Sequence, residues 1–172
     1  MDSVVNTATD RLVFMSFLSP NLAVQLIEGS LPWDRSTQMH IDVFLRLYTL
    51  HDSYWIGMHA NCAWGDTAIA VLRFDPVWNP SVSLPTSQVS NWPLLFLRFN
   101  CVNTIRLSRF SDNGGVQRGI SGAAVEHISD EEAVTVISDH DGAIVSLQHF
   151  PLVDALVMSP NEEVVELPVG SN

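Results

Sequence analysis

The chain has no lysine: all eight of its cations are arginines, and charged residues make up 16% of it. An average soluble domain carries about 25%, so the placement of the few charges is informative. A GC-rich genome explains the missing lysine without any functional demand. Cysteine is also scarce, with only Cys62 and Cys101. Two cysteines make no disulfide framework, and no CxxC or Cys/His spacing offers a zinc site. Both lie among strand-like apolar residues, so two buried free thiols in a reducing cytosol are expected. Long hydrophobic runs are lacking too. Residues 12–18 are apolar, but Asp2 and Asp10 precede them, and Ser19-Pro20 ends the run well short of a membrane span. The expectation is a soluble cytoplasmic protein with neither signal peptide nor anchor.

What is present is ample material for a core. With 172 residues, 47% hydrophobic composition and a mean hydropathy of +0.18, disorder over most of the length is excluded. One domain over residues 1–172 is expected, with 1–9 and 168–172 loose.

The net charge is −11, and it is unevenly spread. Residues 1–60 carry −3, residues 61–120 carry +2, and residues 121–172 hold ten acids with no arginine, or −10. Such a field repels phosphate backbones and anionic membrane surfaces, so neither nucleic acid nor membrane is an expected partner. It attracts a basic protein. The plainer alternative is that the acids keep an apolar chain soluble.

Ser19-Pro20 predicts a helix start, Leu22, Ala23, Leu26 and Ile27 fall at helical spacing, and Gly29 ends the segment. Residues 36–50 read two ways. Ile41, Val43, Leu45 and Leu47 alternate as a strand would, whereas Ile41, Phe44, Leu45 and Tyr48 share one helical face. The helix is preferred, with Ser36 as its cap. Strands are predicted at 53–62, 67–74, 94–99, 104–110, 123–128, 133–137, 143–150, 153–158 and 164–167. Asp112-Asn113-Gly114-Gly115 and Asp139-His140-Asp141-Gly142 supply hairpin turns. A long proline-containing loop, 75–92, carries Trp78. The fold expected is α+β: an N-terminal helical portion, then a mainly antiparallel sheet or partly rolled barrel of about eight short strands.

The chemistry-bearing residues form no complete signature. His51-Asp52 invites comparison with metal phosphohydrolases, with His59 and His140 as further ligands, but the residues that follow read as a strand. The alternative is a capped turn. Residues 139–142 lack the closing glutamate of a calcium loop, and Ser121-Gly122 is no nucleophile elbow. Neither a cofactor nor a catalytic residue is predicted. Trp33, Trp64, Trp78 and Trp92 sit in or beside turns, as interface anchors or as plugs of a β core. Arg98, Arg106 and Arg109 form either a small basic face or partners for the acidic last third.

Leu50-His51-Asp52-Ser53 before a first strand, the run Leu94 to Ile105, and the hairpin at Asp141-Gly142 together are similar to a group of small bacterial proteins. Some of these resemble immunity proteins of polymorphic toxin systems. The similarity spans about residues 50–150 and implies an α+β scaffold without catalysis that binds and blocks a toxin. Residues 1–50 and the proline-rich loop depart from that pattern.

The reading adopted is a non-catalytic acidic module that binds a basic protein. Its candidate contacts are Glu126, Asp130, Glu131, Glu132, Asp139, Asp141 and Trp78. The alternatives are a metal-dependent hydrolase using His51, Asp52 and His59, and a structural subunit of a larger assembly. The oligomeric state is left open.

Overall fold

Ser19-Pro20 opens helix α1 (Pro20–Glu28) as the sequence predicts. Ser19 is extended, its Oγ accepts from the Leu22 N–H at 3.2 Å, and proline at the first position leaves no N–H unpaired. Gly29 closes the helix at φ 72°, a left-handed conformation that costs a residue with a Cβ far more. The computed structural model describes residues 17–61, 66–82, 89–108 and 118–169.

Residues 36–50 correct the bounds of the helix expected there. The helical face of Ile41, Phe44 and Tyr48 holds, the alternating residues Ile41, Val43, Leu45 and Leu47 all lie in the helix, and the residues before it form a strand. Strand β1 (Thr37–His40) comes first, then helix α2 (Ile41–Leu47). Residues 37–40 pair with residues 152–155, which supplies the backbone partners a helix would otherwise provide. Ser36 does not cap the helix; its Oγ donates to the Trp33 carbonyl at 2.7 Å and closes a 3-10 turn.

The remaining strands are β2 (Tyr54–Asn61), β3 (Thr67–Arg73), β4 (Leu94–Phe99), β5 (Thr104–Leu107), β6 (Arg118–Gly119), β7 (Gly122–Ser129), β8 (Glu132–Asp139), β9 (Gly142–His149), β10 (Leu152–Met158) and β11 (Val164–Val165). They form two antiparallel sheets. One runs β1-β10-β4-β3-β2-β6, with β11 also on β10; the other runs β5-β9-β8-β7. Among the described residues the chain passes between the sheets at 100–103, at 120–121 and at Phe150-Pro151, which rolls them together. The α+β class is as expected. Strands β1 and β6 are the ones the sequence pattern does not announce.

Alternation sorts the larger sheet onto two cores. Ala68, Ala70, Leu72, Leu95, Leu97, Phe99, Val153 and Val157 face the smaller sheet, which contributes Ala133, Ile137, Val145 and Leu147. Ile69, Val71, Phe96, Leu156 and Met158 face α1, which contributes Leu22, Ala23 and Leu26. Because both faces of β3, β4 and β10 are covered, these strands read as nearly unbroken apolar runs. Each fully buried large side chain, such as Phe96 or Leu72, contributes roughly 1.5–3 kcal/mol.

The Asp139–Gly142 turn joins β8 to β9 as predicted, with the Asp139 carboxylate accepting from the Asp141 N–H at 2.8 Å. Cys101 corrects the expectation of a buried thiol. It is exposed at φ 50° in a bend, where the chain leaves β4 in one sheet for β5 in the other while still running antiparallel to the β9–β10 segment. Cys62, Trp64, Arg109 and the 112–115 turn lie outside the described residues.

Candidate functional site

Tyr54 pairs with Arg73, so the turn before β2 and the turn after β3 adjoin. Buried polar residues fasten them together. The Ser53 hydroxyl accepts from the Asp75 N–H at 3.0 Å. Asn79 donates from Nδ2 to the carbonyls of Thr49 and Asp75, at 2.8 and 2.9 Å, and accepts from the Thr49 N–H at 2.9 Å. The Asp75 carboxylate accepts from the Val77 N–H at 2.6 Å. Ser53, Asp75 and Asn79 are all buried; the Ser53–Asp75 and Asn79–Asp75 bonds are shielded from water, and the other three are partly so.

This fastened turn presents apolar side chains to solvent. Val77 is 75% exposed and Trp78 55%. Trp78 is fixed by its indole N–H, which donates to Asp52 Oδ2 at 2.9 Å. His51 Nδ1 lies 3.1 Å from the same oxygen, and its ring meets Trp78 edge-on at 5.5 Å. Asp52 takes φ 61°, tolerable for aspartate, and its N–H donates to the Ile120 carbonyl at 2.9 Å. Both His51 and Asp52 are about half exposed. The sequence predicts Trp78 and the His51-Asp52 pair as separate candidates, and the fold brings all three together.

It does not bring His59 to them. Five residues of strand separate His59 from Tyr54, roughly 15 Å at the usual rise. His140 sits at the tip of the β8–β9 turn. Among the described residues no three His, Cys, Asp or Glu side chains are grouped as a metal ion requires. Among the described residues no hydroxyl or thiol hydrogen-bonds the His51 imidazole. No helix among the described residues is long and apolar enough to cross a membrane.

The acidic candidates are distributed. Glu126, Asp130 and Glu131 are exposed on β7 and at the β7–β8 turn. Glu132 accepts from Asn103 and Gln148. Asp139 is ion-paired with Arg118 at the opposite end of β8, with Asp141 exposed beside it. Arg98 and Arg106 belong to different sheets and make no common basic face, while Arg98 and Arg118 each pair with an acid of the last third.

Two polar clusters centre on buried Asp154 and on buried His149. The pairing of Asp154 with Arg98 fits the reading of that arginine as a partner for the acidic last third, whereas His149 is not among the residues the sequence singles out. Asp154 accepts from Arg98 Nε at 3.0 Å, Asn100 at 3.0 Å and Gln38 at 3.1 Å, and the Arg98 guanidinium lies 4.2 Å from the Trp33 ring centroid. His149 shares a 2.8 Å hydrogen bond between Nε2 and the Thr135 hydroxyl, while Nδ1 bonds the Phe150 carbonyl at 2.7 Å. Burial pushes the His149 imidazole below its ordinary value, outweighing the contrary pull of that carbonyl. A period-two reading of 145, 147 and 149 would have turned His149 inward.

An open groove of about 630 Å³ lies between α2 and the end of β7, where His127 Nε2 is 3.5 Å from Asp42 Oδ1. Comparison with family profiles, curated proteins and solved structures gives no match.

Proposed function

We propose that this chain is a non-catalytic protein-binding module acting in the cytoplasm, most concretely an immunity-type inhibitor of a basic toxin or nuclease. The observation that carries this reading is the fastened turn that holds Val77 and Trp78 in water. Exposed apolar side chains cost solubility, and a rigid aromatic loses little entropy on binding, so such residues serve as interface anchors. The net charge of −11 favours a basic partner and speeds the encounter at low salt. Asp130 and Glu131 are the exposed acids chosen to test that field, because among the described residues neither forms an ion pair.

The test is affinity capture with the intact protein at low salt, followed by a salt step and mass spectrometry. One basic protein at near-equal stoichiometry, lost with Trp78→Ala and slowed by reversal of Asp130 and Glu131, supports the reading. Binding that survives all three changes overturns it.

A further inference from the structure

We infer that Trp78 and Asp52 together form a binding site for an arginine side chain of the partner. The inference rests on the binding-module reading and names the chemistry of its contact. The fold contains its own example of this recognition: Arg98 lies against the Trp33 ring and donates to the Asp154 carboxylate. An indole and a carboxylate therefore already grip a guanidinium in this protein, through cation–π attraction and a charge-assisted hydrogen bond. Trp78 and Asp52 supply the same two groups at the surface, locked by their own hydrogen bond.

Charge complementarity points to an arginine. Among the described residues the Asp52 carboxylate meets only the neighbouring His51 and the Trp78 indole, and its Oδ1 makes no described hydrogen bond. About half the Trp78 surface remains open. A guanidinium can lay its planar face on a ring and still donate in its own plane to a neighbouring carboxylate, whereas an ammonium offers no planar face. Buried Asn79 and Asp75 fix the turn, so the two groups need no rearrangement to receive it.

The experiment is a titration of the intact protein with a short, end-blocked peptide whose only charge is one arginine, followed through the Trp78 indole N–H resonance. Matched citrulline and lysine peptides are the comparison. Saturable shifts with arginine, at least about fivefold weaker with lysine or citrulline, are expected. Asp52→Asn keeps a residue that tolerates positive φ and removes the charge; it should weaken binding roughly fivefold, as should Trp78→Ala, whose binding is read by calorimetry because the reporting indole is gone. Equal response to citrulline, or arginine binding indifferent to Asp52→Asn, overturns the inference. If a captured partner depends on Trp78 while the arginine peptide does not bind, the arginine site falls and the binding module stands.

Discussion

Two tryptophans of this protein sit beside an aspartate, and their surroundings differ completely. Trp33 and Asp154 enclose Arg98 on the face of the larger sheet, where Gln38 and Asn100 complete the carboxylate's bonds. Asp154 is buried. Trp78 and Asp52 stand on a surface turn with the indole more than half exposed. The first arrangement satisfies itself and belongs to the fold. The second is held in place by Ser53, Asp75 and Asn79, yet the fold does not cover it. Rigidity without cover separates a surface offered to a partner from one the protein needs for itself.

The comparison can be broken most severely at the buried end. Asp154→Ala leaves Arg98 unpaired and removes the acceptor for Asn100 and Gln38. It should lower unfolding free energy by about 3–5 kcal/mol in urea titrations. A loss under about 1 kcal/mol would mean the cluster is readily replaced by water.

Asn79→Ala comes next. It removes three hydrogen bonds, one buried and two partly buried, and strands the Thr49 and Asp75 backbone groups, so a cost of about 2–3 kcal/mol is expected. Partner binding should also weaken, because Trp78 then pays an ordering cost on association. Undiminished binding by a destabilised variant would show that the turn's rigidity is irrelevant.

The core histidine predicts a pH dependence. The folded-state value of His149 is lowered, so below about 6.5 the unfolded chain takes up a proton that the folded chain refuses. Stability should therefore fall as pH drops from 7 toward 5, by up to about 1.4 kcal/mol per unit from this group. His149→Gln should flatten that slope relative to the parent protein, read from denaturation midpoints across pH. A parallel slope would assign the acid sensitivity elsewhere.

The first helix and most strands were legible because each follows from local chemistry. Ser19-Pro20 and Gly29 bound α1, and the 139–142 turn fixes a hairpin. Residues 36–50 misled because β1 depends on pairing with β10, more than a hundred residues away, and no local period encodes a distant partner. Cys101 misled similarly, since its apolar neighbours belong to strands while it occupies the bend that carries the chain from one sheet to the other. Trp78 and Asp52 were each visible as residues, but their contact across 26 positions arises only when β2 and β3 pair. Asp154 and His149 looked like ordinary strand residues because burial, not sequence, decides what their polar atoms must do.

The smallest expected effect is also the most direct test: the urea unfolding free energies of Trp33→Ala and Trp78→Ala under identical conditions. Trp78→Ala should stay within about 0.5 kcal/mol of the parent, as exposed substitutions do. Trp33→Ala should cost at least about 1–2 kcal/mol through lost stacking on Arg98 and lost packing against the α1 core. Equal losses would contradict the account, because Trp78 would then be serving the fold rather than standing open for a partner.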